Sequence, residues 1–212
     1  MFNVKGLRGK FSTDTFFMNC KSLHLNTCSQ FYSHKNGFMA CFPMLNTTVD
    51  SIGETLFDFV STHGAPEHLT FDGFPSQTGH HTKFQKGIRK YNIDAYILSP
   101  RQPNKNPVEG SICEVKRCFY IIMHCLKALQ RLWDYLLIWI CETACISVSS
   151  SKYANGRTLV EILTGETPDI SEEYLDFVFC DWVIFCTNTG LGEPSLGRWI
   201  GVSHKVGQLM SY

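Results

Sequence analysis

Short apolar runs separated by turn-forming residues fill the first part of the chain. Residues 11–17 (FSTDTFF), 28–33 and 38–45 (FMACFPML) are rich in β-branched and aromatic side chains, and KNG separates the last two. Runs of this length and composition are typical of strands, and the short turn favours pairing of neighbours. The pattern predicts three consecutive antiparallel strands.

A helix is predicted next, in TVDSIGETLFDFVSTHG, because apolar residues recur there at three- and four-residue steps. Thr48 is the expected N-cap, and Gly64 is the expected stop. Two more strands, HLTFD and DAYILS, flank a loop, FPSQTGHH, and a short basic helix, TKFQKGIRKYN. Strands separated by helices at this spacing predict an α/β domain with a mixed five-stranded sheet flanked by helices.

A Pro-, Asn- and basic-rich loop, PRQPNKNP, leads into a long amphipathic helix predicted from about Val108 to Leu129. Its apolar face consists of Ile112, Val115, Phe119, Ile122, Leu126 and Leu129. After a break near Gln130, a second apolar helix is predicted to about Ser147. Its Trp133 and Trp139 are expected in the core.

The Ser-rich segment SVSSSKYANG is typical of a surface linker and predicts the edge of the main domain. The predicted division is a core at 9–150, followed at 151–212 by a linker helix and a small β-rich C-terminal module. TLVEILTG predicts that helix, which ends at Gly165. Trp182 and Trp199 are expected to anchor the module.

Composition indicates a folded chain, with 44% apolar and 18% charged residues. Its 19 basic and 19 acidic residues give a formal net charge of zero. A protein that held a long stretch of DNA by charge alone would be clearly basic. Any nucleic-acid contact is therefore expected to be local, or shared with other parts of a larger polypeptide.

Ten cysteines are present, but MFNVKGLRGK has no apolar signal region and no C-x-x-C pair occurs. Cys141 and Cys145 stand four residues apart without a histidine pair at a matching spacing, which argues against zinc. The chain is expected to be intracellular, with reduced and mostly buried cysteines. No membrane span is predicted, because Asp134 and Glu142 interrupt the most apolar window.

Three carboxylates stand at positions suited to metal chemistry. Asp14 lies in mid-strand, where Asp is rare; Asp72 ends a buried strand, where open α/β sheets place their ligands; Glu109 begins the long helix. Asp72 and Glu109 each have an ordinary alternative explanation: Asp72 before Gly73 fits a turn, and Glu109 fits the helix dipole. Nineteen acidic residues also offer many other triples.

Carboxylates brought together in this way stay ionised only when a hard cation holds them. Two Mg²⁺ or Mn²⁺ ions about 3.5–4 Å apart are the usual device for in-line attack on a phosphodiester. The triple therefore predicts metal-dependent phosphoryl transfer.

The strings FSTDTFF, HLTFDGFPSQTG and SPRQPNKNPVEGSICEVKR resemble the three acidic motifs of retroviral and retrotransposon integrases. The family has a similar separation between its last two acids; here 36 residues lie between Asp72 and Glu109. GRTLVEILTGETPDISEEYLDFVFCDWV and LGRWIGVSHKVGQLMSY resemble the segment after the core in copia-like retrotransposon polyproteins. The resemblance runs from about Phe11 to Tyr212.

The resemblance implies an RNase H-like fold and DNA integration by a polynucleotidyl transferase that processes 3′ ends and transfers strands. Asp14, Asp72 and Glu109 would be its catalytic, metal-binding carboxylates, with Mg²⁺ or Mn²⁺ as cofactor. The implied partners are element ends and target DNA, within a homo-oligomer in the nucleus. Neither a membrane nor a small-molecule substrate is expected.

The resemblance also assigns DNA contacts. Lys116, seven residues after Glu109, stands where the family often has a basic residue, whereas Cys113 replaces another frequently basic position. Glu114 competes with Glu109 as the third acid but would point elsewhere on the helix. The other expected nucleic-acid-binding residues are Lys83, Lys86, Arg89, Lys90, Arg101, Lys105, Gln102 and Asn106. A solvated helix face explains the four charges of the basic helix equally well.

Two other functions remain open. A catalytically decayed relic of a retrotransposon would bind nucleic acid or a partner without cutting it, which the neutral charge and Cys113 favour. A ribonuclease H-type nuclease would share the fold and the metal chemistry. The chain is expected to be a fragment of a transposable-element polyprotein, since no paired-His, paired-Cys module, protease or reverse transcriptase accompanies the motifs.

Overall fold

The computed structural model describes residues 6–98, 106–148, 155–168, 176–186, 193–203 and 209–211. The strands are β1 Gly6–Phe17, β2 Cys28–His34, β3 Met39–Met44, β4 Ala65–Asp72, β5 Asp94–Leu98, β6 Trp182–Cys186, β7 Pro194–Arg198, β8 Gly201–Ser203 and β9 Leu209–Ser211. The helices are α1 Val49–Thr62, α2 Pro75–Thr78, α3 Lys83–Lys90, α4 Val108–Leu126, α5 Trp133–Ile146 and α6 Leu159–Thr164. Within these ranges no helix is long and apolar enough to cross a membrane.

Five strands form one mixed sheet in the order β3-β2-β1-β4-β5. The pairs β1–β2 and β2–β3 are antiparallel, whereas β1–β4 and β4–β5 are parallel. Parallel neighbours need crossover connections, and here helices supply them. The predicted mixed five-stranded sheet flanked by helices is confirmed.

One face of the sheet, which we call the closed face, is covered by α1 and α3. Aromatic rings fill this core: Phe59 of α1 stacks on Tyr32 with ring centroids 4.5 Å apart and meets Phe11 edge-on at 5.6 Å. The two helices approach so closely that a Cβ at Gly53 would collide with the Cβ of Lys83. The closed face is therefore packed without room for additional side-chain atoms at this crossing.

The ends of α1 follow from its sequence. The Thr48 side chain accepts a hydrogen bond from the backbone N–H of Ser51 at 3.3 Å, as an N-cap does. After Thr62 the chain leaves the helix, and Gly64 adopts a φ of +116°, which favours glycine. The predicted cap and stop are confirmed.

On the opposite face, α4 and α5 pack mainly against β1, β2 and β3. The apolar side of α4 supplies Val108, Ile112, Val115 and Phe119 to this second core, together with Trp133 of α5. We call this the carboxylate face, because Asp14 and Asp72 lie on it. Strand β5 is an edge strand, and most of its residues are exposed.

Two details of the predicted elements were wrong. The long helix ends at Leu126 rather than at about Leu129, because Lys127 takes a left-handed conformation with φ of 49°. Leu126 and Leu129 are exposed instead of continuing the apolar face. The loop FPSQTGHH contains one helical turn, α2, which begins with Pro75 at a position that suits its fixed φ.

The later part of the chain contains the predicted helix and β structure. Helix α6 has a complete capping box between Thr158 and Glu161 and ends at Gly165 in the left-handed conformation. Strands β6–β7 and β8–β9 form two antiparallel pairs. Leu159 packs into the closed-face core, so residues on both sides of position 150 share a core; the division into domains stays a prediction.

Of the four tryptophans, Trp133 and Trp199 are fully buried, and Trp139 contacts the Trp199 ring edge-on. Trp182 is 61% exposed, with the Arg198 guanidinium stacked 3.5 Å from its ring centroid. The expectation that Trp182 anchors the C-terminal module was therefore wrong. Its strand alternates, and the alternation places Trp182 on the outer side of a two-stranded pair.

The ten cysteines are all free thiols. Five are buried, so the expectation that most are buried holds for only half of them. Cys113, Cys125 and Cys186 are exposed. On α4 the apolar stripe covers only one side of the helix, and two of these cysteines fall outside it.

Candidate metal centre on the carboxylate face

Strand register brings two of the carboxylates together. The parallel pair β1–β4 matches Phe11 with Leu69 and Thr13 with Phe71, so Asp14 and Asp72 are the next neighbours. Leu69 and Phe71 belong to the closed-face core. Because side chains alternate along a strand, Asp14 and Asp72 both project from the other face. They lie side by side on adjacent strands.

The third carboxylate comes from the start of α4. The backbone N–H of Glu109 donates to the carbonyl of Asn106 at 3.1 Å, which forms the first turn of the helix. The Asn106 side chain is 3% exposed. Its Nδ2 donates to Asp72 Oδ1 at 3.3 Å and to the carbonyl of Thr13 at 3.4 Å. Asn106 thereby connects the beginning of α4 to β1 and β4.

The electrostatic environment of Asp14 includes both of the other acids. Burial raises the pKa of Asp14 above its usual value; the Thr15 N–H, which donates to Asp14 Oδ1 at 2.7 Å, opposes the rise. The negative charges of Asp72 and Glu109 raise the Asp14 pKa further, and the positive charge of Lys116 lowers it. Asp14 is therefore partly buried beside two like charges, which a bound cation would help to balance.

The donor set fits a hard cation. Carboxylate oxygens are the ligands that Mg²⁺ and Mn²⁺ prefer, and the excess negative charge around Asp14 would be relieved by either ion. Within the described ranges, no three or more His, Cys, Asp or Glu side chains already stand close enough to hold a metal ion. The metal-ligand roles of Asp14, Asp72 and Glu109 remain predictions.

Lys116 lies two turns after Glu109 and is exposed. Its Nζ is 5.0 Å from the centroid of the Phe16 ring, a cation–π contact beside the carboxylates. Glu114 forms an exposed ion pair with Arg117 at 2.6 Å, which holds the pKa of Glu114 below its usual value. These contacts favour Glu109 over Glu114 as the third acid.

The basic helix α3 lies elsewhere. Its Phe84 and Ile88 are buried in the closed-face core, on the side of the sheet opposite the carboxylates. Lys83 pairs with Glu54 at 2.8 Å, and the Arg89 guanidinium donates to the carbonyl of His80 at 2.7 Å.

Lys86 and Lys90, two more of the predicted DNA contacts, also lie on α3. Lys90 stacks over the Phe57 ring at 5.2 Å, and Lys86 is exposed on the same helix. The structure therefore does not bring the α3 charges together with the carboxylates. Arg101, Gln102 and Lys105 lie outside the described residues, and their DNA contacts stay predictions.

Sequence reasoning overlooked two features of this site. Asn106 was expected to contact DNA, whereas its buried amide holds Asp72; only the register of β1 and β4 reveals that. Tyr96 was not singled out, yet it lies on β5 opposite Thr70 and is 66% exposed. The alternation of DAYILS was the one signal that pointed to it.

Solved structures share this fold. The catalytic core domain of BIV integrase aligns with a TM-score of 0.56 and 14% identity over 74% of this chain and 93% of that chain. The HTLV-2 integrase catalytic core domain in complex with magnesium aligns at 0.54 and 16% over 73% and 95%. A simian T-cell lymphotropic virus intasome, in complex with PP2A regulatory subunit B56 gamma, aligns at 0.58 and 16% over 90% and 67%.

These likenesses establish the RNase H-like fold of integrase catalytic cores for this chain. No protein-family model matches the sequence, and no curated protein matches it significantly.

Proposed function

We propose that this chain is a DNA integrase: a metal-dependent polynucleotidyl transferase that processes 3′ ends and joins them to target DNA. The observation that carries the proposal is that the negative charges of Asp72 and Glu109 both raise the pKa of Asp14, in a chain with the fold of integrase cores. The sequence resemblance supports origin in a copia-like retrotransposon, and with it action as a homo-oligomer in the nucleus.

Divalent ions, when bound, supply the Lewis acid that activates the attacking water or 3′-hydroxyl and stabilises the leaving oxygen. Asp14 and Asp72 would hold them from adjacent strands, and Glu109 from the helix above. Asn106 fixes the orientation of Asp72 through its 3.3 Å hydrogen bond. Lys116 provides a positive charge for a phosphate beside the acids.

The α3 charges contribute less to this proposal than the sequence alone implied. Lys83 is already paired with Glu54, and the helix faces away from the carboxylates. Contacts from α3 would therefore reach DNA only outside the reacting centre, where they position the backbone without taking part in the chemistry.

The test is strand cleavage and joining on an oligonucleotide duplex with Mg²⁺ or Mn²⁺. Glu109→Gln should abolish both reactions, while Glu114→Gln, the same change five residues along the same helix, should leave them near wild type. Equal activity in the two variants would overturn the proposal.

Two further arms of this experiment separate the alternatives. A folded wild-type chain that binds DNA in a salt-sensitive manner but never cuts it would be a relic. Metal-dependent cutting of the RNA in an RNA–DNA hybrid, without DNA joining, would indicate a ribonuclease H.

A further inference from the structure

Tyr96 stands on the carboxylate face, one strand away from the acids. In the parallel pair β4–β5, Thr70 matches Tyr96 and Asp72 matches Leu98. Tyr96 and Thr70 therefore project on the same side as Asp72. The next residue, Ile97, matches Phe71 and projects toward the closed face.

Tyr96 lies close to Asp72 on the surface of the sheet. Two residues along a strand span about 6.6 Å, and neighbouring strands lie about 4.8 Å apart. The Cα atoms of Tyr96 and Asp72 are thus separated by roughly 8 Å. A phosphate held at the carboxylates would place an adjoining base within reach of the Tyr96 ring.

The Tyr96 ring is available for such a contact. Tyr96 is 66% exposed. Helices α4 and α5 pack mainly on β1, β2 and β3, which leaves this part of the carboxylate face accessible. A strand residue of this size usually buries its ring against a covering element.

We infer that Tyr96 is a base-stacking residue that positions a nucleotide adjoining the scissile phosphate. The inference rests on the proposed function, since DNA must occupy the carboxylate site. An aromatic ring suits this place because it holds a base without adding charge next to three acids. Stacking accepts every base, so Tyr96 sets the position of the strand and not its sequence.

The first experiment measures DNA binding in an Asp72→Asn background, where the substrate is not consumed. The probe is a fluorescently labelled duplex with a single-stranded 3′ overhang. Tyr96→Ala should weaken binding by about 5- to 150-fold, the usual range for loss of one stacked base. Tyr96→Phe should bind like the parent, because the ring and not the hydroxyl makes the contact.

Ile97→Ala is the matched control. It truncates an exposed residue on the same strand, 49% exposed, but on the opposite face, and should leave binding unchanged. Equal loss in Tyr96→Ala and Ile97→Ala would overturn the inference, as would normal binding by Tyr96→Ala. Melting temperatures of all variants confirm that each is folded.

A second experiment locates the contact directly. 5-Iodouracil placed at each position flanking the scissile phosphate should crosslink to Tyr96 from one or two adjoining positions only. Crosslinks confined to other residues, or an exposed Tyr96 that captures a protein and never DNA, would overturn the inference.

Failure of this inference is distinguishable from failure of the proposed function. If the wild-type chain joins DNA normally and Tyr96→Ala keeps that activity, only the stacking role is overturned. If the chain never cuts DNA but binds it through Tyr96, the integrase proposal is overturned and the stacking contact stands.

Discussion

The two faces of the central sheet use the same strands for opposite purposes. In β1 and β4, alternate residues such as Phe11, Leu69 and Phe71 enter the closed-face core, while Asp14 and Asp72 project from the other side. Helices α1 and α3 cover the closed face tightly, whereas α4 and α5 leave the carboxylate face accessible around β4 and β5. The closed face is thus core, whereas the carboxylate face is divided between a second core under α4 and α5 and an accessible part around β4 and β5.

This division has a physical cause. Burying three carboxylates under apolar side chains would require full desolvation of their charges, which is far more costly than leaving them partly wet. The closed-face core stabilises the strands that hold Asp14 and Asp72, so the acids can be kept close despite their repulsion. Four predictions test this comparison.

The largest difference is expected for ring removal. Phe59→Ala deletes a fully buried ring that stacks on Tyr32 and should lower the free energy of unfolding by about 3–5 kcal/mol. Tyr96→Ala removes an exposed ring from the carboxylate face and should change it by less than about 0.5 kcal/mol. Urea denaturation of both variants measures the difference, and comparable losses would contradict the division.

Thiol reactivity should also separate buried from exposed regions. Burial raises the pKa of Cys145 to about 12, whereas Cys113 is exposed on α4. Since the thiolate is the reactive form, iodoacetamide should modify Cys145 at least about 100-fold more slowly in the native state than in urea, equivalent to about 2.8 kcal/mol. Cys113 should react similarly in both states. Mass spectrometry of the alkylated peptides reports both rates, and fast native labelling of Cys145 would count against the packed core.

Helix packing on the closed face offers a smaller effect. Gly53→Ala puts a methyl group where Lys83 Cβ stands and should cost about 1–3 kcal/mol despite the better helix propensity of alanine. Gly110→Ala, in α4, meets no atom within 4 Å and should be neutral or stabilising by up to about 1 kcal/mol. Thermal unfolding of the two variants measures the difference. If Gly53→Ala were as stable as wild type, α1 and α3 would have room to move apart.

The smallest effect concerns Asp14. Because its pKa is raised in the folded state, the native chain binds the proton more tightly than the unfolded chain. Its contribution to the free energy of unfolding therefore falls as pH rises from the ordinary Asp pKa, 3.8, through the raised value. At pH 7 without metal, Asp14→Asn should melt about 1–3 °C higher than wild type, and the gain should vanish near pH 3.

Added Mg²⁺ or Mn²⁺ sharpens the Asp14 prediction. The ion should raise the melting temperature of wild type and not that of Asp14→Asn, because bound ligand stabilises only the form that binds it. A variant less stable than wild type at pH 7 without metal would show that Asp14 is not strained by its neighbours.

Local composition and spacing were sufficient for several elements. The strands around Phe11 and Phe31 were predicted from their β-branched and aromatic residues and the turns between them, and the helix capped by Thr48 from its apolar spacing. The end of α4 was missed because Leu126 and Leu129 continue the apolar spacing, while the left-handed turn at Lys127 leaves no local signal.

Relations between elements lay beyond the sequence pattern. The neighbouring positions of Asp14 and Asp72 depend on the β1–β4 register, and a one-residue slip would have put one of them in the closed-face core. Likewise, the charges of α3 indicated a solvated side but not which face of the sheet the helix would cover. The role of Asn106 depends on the same β1–β4 register, because its two hydrogen-bond partners come from those strands.

The most direct test of the central claim is a crystal soaked in Mn²⁺ and measured for anomalous scattering. One or two ions should appear with oxygens of Asp14, Asp72 and Glu109 at about 2.0–2.6 Å. An ion-free site under saturating Mn²⁺, or carboxylates that stay farther than this from any ion, would contradict the account.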